Sequence, residues 1–323
     1  MSRNMRDRRK PNTRVVHITN RCWEGLPFVP NIFINRLILG VLAAAQTKYP
    51  VEIVCFLFMG NHYHIIIAGD GNRVSAFANY LNGEIAKRMF RLFPGRWGVK
   101  FWQHRFKEQL LGSPEAVEEK IGYIFCNPLR ARLVSRLSTY PGVSSIAALN
   151  SIDKSTATLH ALTLPKHFRR LKSPRISHKE DLKLAKEMLG NSSGMMPLRT
   201  DLFAWVRCFK QSVDRQEVVR KLRTRISEEE QRAMQSGVIG VQRLKLRPLN
   251  QPYTPEKKPN DRTPFVECPD PTLRKELIED YREFKARCRT AWKSYQLGHE
   301  AVWPLGAFVP SMKWRAAPSP HTG

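Results

Sequence analysis

Acidic residues are the scarce commodity of this chain. Asp and Glu total 28 against 54 Lys and Arg in 323 residues, a formal net charge of +26. Divided after Asn150, the first part carries 21 basic and 9 acidic residues and the second 33 and 19, so the net charges are +12 and +14. The excess is therefore not confined to a tail. A field of that kind favours a polyanion, most commonly nucleic acid. Cysteine is also thin. The six (Cys22, Cys55, Cys126, Cys208, Cys268 and Cys288) are scattered, and none forms a C-x-x-C pair. That pattern excludes a zinc ribbon and a disulfide framework and fits a reducing compartment. No uninterrupted apolar run approaches the length of a membrane span, and the basic opening MSRNMRDRRK is not followed by an apolar signal core. The expectation is a cytoplasmic protein with no membrane partner. Length suggests two domains.

Apolar patterning gives the elements in order. Arg14 to Thr19 reads as a strand, and Cys22 to Pro30 as a loop. Asn31 caps a helix running to about Lys48, with Leu37, Ile38, Val41, Leu42 and Ala45 on one stripe. Val51 to Ala68 is a hairpin broken at Met59-Gly60-Asn61. A second helix is predicted over Val74 to Phe93, and Lys100 to Leu111 reads mainly as strand. Ser113-Pro114-Glu115 opens a third helix with an N-cap serine, a proline at the first position and an acidic first turn. Pro128 limits that helix at about Cys126 or Asn127. Strand, helix, strand, strand, helix, strand is the ferredoxin-like order. The fold class expected is α+β, with the trailing helix across the sheet. Past residue 150 the texture turns basic and mainly helical, with helices over His178 to Leu189, Leu202 to Ile226 and Leu273 to Tyr295. A proline-rich irregular segment covers residues 248–271.

Chemistry concentrates in the hairpin. In an extended chain, residues i and i+2 share a face, so His62 and His64 point together and Tyr63 points away. Two imidazoles so spaced are able to share one metal ion. The pair alone is also readable as two hydrogen-bonded residues at a hairpin mouth. In the third helix Tyr123 and Asn127 are four residues apart and share a face. The amide oxygen of Asn127 would complete a three-ligand site with His62 and His64, setting the Tyr123 phenol beside the metal. Lys120, one turn earlier, is placed to meet the tyrosine oxygen or a phosphate. Tyr123 packing the helix on the sheet, and Asn127 capping a helix end, is the plainer alternative. His17 on the opening strand and His104 read as structural. Arg21, Arg105, Arg130 and Arg132 are candidate phosphate contacts, or else members of a solvated face.

Four stretches together resemble a family, the single-tyrosine HUH transposases of the IS200 type, and especially those associated with repetitive extragenic palindromes (REP). They are Val16-His17-Ile18-Thr19-Asn20-Arg21, Met59 to Ile67 with its His62-Tyr63-His64, Phe101-Trp102-Gln103 with Arg105-Phe106, and Tyr123 to Ala131. The coverage runs from about Arg14 to Val134. Gly60 stands where the family often has proline, and Tyr63 replaces the usual aliphatic residue between the histidines, which puts local packing in question. The resemblance implies a catalytic domain over residues 14–150, preceded by a basic arm (1–13); residues 151–323 carry none of its motifs, and the accessory DNA-binding region expected there rests on charge alone.

It also implies a mechanism. His62, His64 and Asn127 would hold Mg²⁺ or Mn²⁺, and Tyr123 would attack a phosphate of single-stranded DNA beside a hairpin. A 5′-phosphotyrosine and a free 3′-hydroxyl would result. The family includes dimers that exchange the tyrosine helix and monomers, so a homodimer and a monomer are both open. Two other readings remain on the residues alone: a metal-dependent nuclease acting through water, and a non-catalytic binder of structured nucleic acid.

Overall fold

The computed structural model describes residues 14–26, 31–150, 156–162, 169–172, 176, 178–191, 194–209, 212–240, 265–304 and 307. The basic arm and the proline-rich segment thus lie outside the described residues, apart from residues 265–271 of the latter.

Strands β1 (Arg14–Arg21), β2 (Glu52–Phe58), β3 (His62–Gly69) and β4 (Lys107–Leu111) and helices α1 (Ile32–Lys48) and α2 (Gly71–Leu92) follow the ferredoxin-like order. Antiparallel pairing of β3 with both β2 and β1, and of β1 with β4, puts the histidine strand in the interior of the sheet. The run Ile65-Ile66-Ile67 is fully buried. A strand covered on both faces reads as a continuous apolar run rather than an alternating one. Side chains of Val16, Ile18, Tyr63, Ile65 and Ile67 pack into one core beneath α1 and α2. Those of Val15, Ile66, Ala68 and Leu111 pack into a second core beneath α3 (Pro114–Arg130).

The caps explain where the helices start. Asn31 Oδ1 accepts from the Ile34 amide at the head of α1. Ser113 Oγ does the same for Ala116 at the head of α3, with Pro114 at the first helical position. The far end of α3 departs from expectation. The helix continues through Pro128 to Arg130. Proline forfeits one hydrogen bond to the carbonyl four residues back, but so close to the end the loss is local. A Schellman motif then closes the helix: the Leu133 amide bonds Pro128 O at 3.0 Å and the Arg132 amide bonds Leu129 O at 2.8 Å. Arg132 takes the left-handed position at φ 54°.

Two other sequence expectations are corrected. Lys100 to Phe106 is not a continuous strand; Phe101 and Phe106 turn into the core, Trp102 makes an isolated antiparallel bridge to Cys22, and the strand proper is Lys107–Leu111. The first part of Leu202 to Ile226 is not helix. Leu202, Phe203, Ala204 and Trp205 are buried in a turn under α3's core, and the helix α5 begins at Arg215 behind an Asp214 cap and runs to Ser236.

The region past residue 150 supplies helices α4 (Lys179–Gly190), α5 and α6 (Pro271–Gln296). It also supplies strands β5 (Thr156–Leu162), β6 (Met195–Asp201) and β7 (Val266–Glu267). These strands extend the first sheet at both edges, giving the order β5-β6-β2-β3-β1-β4-β7 among the described residues. Contacts between α3 and α5 cover the outer side of α3. Among the described residues, no helix is long and apolar enough to cross a membrane.

Candidate active site

The hairpin turn is pinned before any chemistry begins. Met59 N donates to His62 O at 2.8 Å, and Cys22 N donates to Asn61 O at 2.8 Å, tying the turn to the end of β1. Asn61 Nδ2 donates to Gly25 O at 3.0 Å, which turns Asn61 Oδ1 toward His62 Nδ1 at 2.8 Å. An amide oxygen only accepts, so His62 Nδ1 carries the proton and Nε2 keeps its lone pair.

His62 is partly buried and His64 is buried, their ring centroids 5.0 Å apart. His64 Nδ1 lies 3.0 Å from His17 Nε2, and His64 Nε2 lies 3.2 Å from Asn127 Nδ2. The edge of the Tyr123 ring meets His64 with centroids 5.8 Å apart, and Tyr123 is 36 % exposed. The tyrosine helix and the paired histidines of one chain therefore form a single site, with the phenol at its open side.

Burial holds all three histidines neutral. Desolvation, then Lys120, lowers His17 to about 3. Desolvation, then Arg21, lowers His62 to about 4. His64 is pushed well below its usual value by desolvation first and by His62, His17 and Lys120 after it. Neutral imidazole is the form that donates to a metal.

Among the described residues, no group of three or more His, Cys, Asp and Glu side chains is arranged to hold a metal. The donor set is instead two imidazoles and an amide, and its chemistry fits a divalent cation. The Asn127 amide nitrogen faces the His64 lone pair at 3.2 Å. Turned over, the same amide presents Oδ1 there. With that oxygen and the two imidazole lone pairs, His62, His64 and Asn127 are the residues that would hold such an ion.

The basic residues are placed unequally. Lys120 Nζ sits 5.2 Å from the Tyr123 ring centroid and pairs with Glu267 of β7 at 2.5 Å. Arg130 Cζ is 5.9 Å from that centroid, while its guanidinium grips Glu229 of α5 at 2.9 and 3.0 Å. Arg132 donates to the carbonyls of Ser236 and Gly237, closing the end of α5. Arg130 and Arg132 are thus taken up by α5. Arg21 stands opposite His62 in the strand pairing, and Arg105 and His104 are exposed. Sequence reasoning took Asn61 only as part of the hairpin break and did not single out Gln109, Glu229 or Glu267, which act through a strand register or a helix contact that no local pattern encodes.

Residues 30–124 match the family model for IS200-like transposases. That stretch is thus similar to the IS200-like transposases. The match takes in His62, His64 and Tyr123 and stops short of Asn127. A comparison with curated proteins found no match. Among solved structures, the chain is similar to a REP-associated tyrosine transposase bound to a REP hairpin (16 % identity, TM-score 0.35, 47 % of this chain and 86 % of that one). It is similar also to a candidate transposase from Deinococcus radiodurans R1 (19 %, 0.28, 34 % and 87 %). A third is the tRNA(His) guanylyltransferase of Saccharomyces cerevisiae (9 %, 0.29, 42 % and 71 %). TM-scores this low bear on neither substrate nor mechanism.

Proposed function

We propose that the chain is a divalent-metal-dependent, single-tyrosine enzyme that nicks and rejoins single-stranded DNA beside a hairpin. The observation that carries this is the juxtaposition within one chain of Tyr123, His64 and Asn127. The phenol ring edges the histidine at 5.8 Å between centroids, and the amide lies 3.2 Å from its ring nitrogen.

His62, His64 and Asn127 are the residues that would hold Mg²⁺ or Mn²⁺. When bound, such an ion supplies positive charge to the non-bridging oxygens of the scissile phosphate. Imidazole donors favour Mn²⁺ over Mg²⁺ on ligand preference. The rest is done by the chain's own groups. The Tyr123 oxygen attacks phosphorus, its proton passing to water, and the bond from phosphorus to the 3′ oxygen breaks. The DNA 5′ end stays on Tyr123 as a phosphotyrosine, and the departing 3′ oxygen takes up a proton. Attack by a second 3′-hydroxyl reverses the step, releases the phenol and needs no ATP, because the phosphodiester is exchanged rather than hydrolysed. The chain's net charge of +26 favours the approach of the polyanion.

Placement of Tyr123 beside the histidines of its own chain supports action of the tyrosine in cis, in a monomer or a homodimer alike. The hairpin-flanked substrate rests on the resemblance of the four motifs, and the action at a DNA end rather than on RNA rests on the family. Incubation with labelled hairpin-flanked single strands and Mn²⁺, resolved on a denaturing gel, tests the reading. A protein–DNA adduct absent from Tyr123→Phe is expected. Cleavage undiminished in that variant would mean that water is the nucleophile.

A further inference from the structure

We propose that His17 is a positioning residue for this site: backed by Gln109, it fixes the ring and the tautomer of His64. The inference rests on the reading of His62, His64 and Asn127 as a metal centre.

Strand register brings the three side chains together. Gln109 of β4 lies directly opposite His17 of β1, and His64 of β3 lies diagonally from His17, whose own partner is Ile66. All three side chains belong to the sheet face that α3 covers, and all three are buried. His17 Nδ1 stands 3.4 Å from Gln109 Oε1, and His17 Nε2 stands 3.0 Å from His64 Nδ1. The two imidazole rings are nearly parallel, 10° apart.

Proton direction follows from the end of this row. The Gln109 oxygen only accepts, so His17 Nδ1 bears hydrogen and His17 Nε2 bears a lone pair. His64 Nδ1 must then donate to it, which leaves the lone pair on His64 Nε2. The other end is compatible: as the Asn127 amide stands, its nitrogen lies 3.2 Å from that same Nε2 and donates to it. The opposite tautomer of His64 would set two lone pairs against each other at His17 and two N–H groups against each other at Asn127. A metal-binding histidine commonly has its second ring nitrogen held by a carboxylate or a carbonyl. Here a second imidazole takes that part, and Gln109 orients it. A histidine that merely filled the core would have no reason to place both ring nitrogens on side chains in a row ending at the site.

The test has two arms on the full chain without DNA. In ¹⁵N-histidine-labelled, metal-free protein, NMR should find His64 protonated on Nδ1 and bare on Nε2, with mixed protonation in His17→Ala. Calorimetric titration with Mn²⁺ should find affinity lowered about 10- to 100-fold in His17→Ala and by less in Gln109→Leu. Affinity should recover in His17→Gln, whose amide oxygen accepts from the same Nδ1–H. Should His17→Ala fail to fold, the wild-type tautomer and the Gln109→Leu titration decide the matter. A wild-type His64 protonated on Nε2, or unchanged Mn²⁺ affinity in Gln109→Leu and the His17 variants, overturns this inference alone. Failure of the wild-type chain to bind Mn²⁺ overturns both it and the metal-centre reading.

Discussion

Arg225 of α5 lies against Gly122 of α3, the residue immediately before Tyr123. A Cβ at Gly122 would come within 2.7 Å of the Arg225 guanidinium, which pairs with Glu119 at 2.6 and 2.7 Å. The glycine is thus the reason α5 approaches the tyrosine helix so closely. With Arg130 bound to Glu229 and Lys221 near Glu118, α5 holds α3 along much of its outer side.

Gly122→Leu should therefore displace Arg225 and loosen α5 at a cost of about 1–3 kcal/mol, as overpacking usually does. Denaturant melts would read the loss, and adduct formation should fall with it. Gly122→Ala should be close to neutral, since only a flexible side chain must move and alanine favours helix by about 1 kcal/mol over glycine. Equal effects of the two would mean that α5 does not lean on this position.

On the opposite face of β3, Tyr63 fills the core where an aliphatic residue was expected, and its hydroxyl finds a partner. Asn82 of α2 donates to it at 2.7 Å and accepts from Asn20 Nδ2 at 2.8 Å. Tyr63→Phe should cost about 1–2 kcal/mol by stranding a buried donor. Mn²⁺ affinity should be unchanged because the ring points away from the histidines. A large loss of metal binding would contradict that separation of faces.

Much of this was readable from residues alone, and the failures share a cause. The caps Asn31 and Ser113, the hairpin break and the shared face of His62 and His64 are all local in sequence. So are Tyr123 and Asn127, one helical turn apart. The continuation of α3 past Pro128 depends on a Schellman closure in which Arg132 adopts a left-handed backbone that its residue type does not advertise. Phe101 and Phe106 mimic strand composition while serving as core plugs. The Gln109–His17–His64 row and the Lys120–Glu267 pair depend on strand registers spanning tens of residues or more, which no window of sequence contains.

Lys120 is largely buried and its charge is met by Glu267 from β7. Glu267→Gln should leave the ammonium short of its partner and destabilise the chain by about 1–3 kcal/mol, a partial version of the penalty for breaking a buried pair. The double variant Lys120→Met/Glu267→Gln should recover part of that loss. Additive single effects in a double-mutant cycle would show the two groups to be uncoupled.

Acid should weaken the fold through the histidines. His17 and His62 are lowered to about 3 and about 4, while the unfolded chain titrates near 6.5. Between about pH 6.5 and pH 4 the unfolded state binds more protons, so stability present at neutral pH is lost as pH falls. Denaturant midpoints at pH 7.5, 5.5 and 4.5 should decline, and His17→Gln should flatten the slope. A wild-type midpoint independent of pH over that range would contradict buried neutral histidines.

The most direct test of the central claim is to trap the covalent adduct with a hairpin-flanked single strand and Mn²⁺, digest it and sequence the nucleotide-bearing peptide by mass spectrometry. The account predicts a phosphodiester on Tyr123, joined to the 5′ end of the downstream fragment, with the 3′-hydroxyl of the upstream fragment free. An adduct on any other residue, or cleaved DNA with no peptide attached, would contradict it.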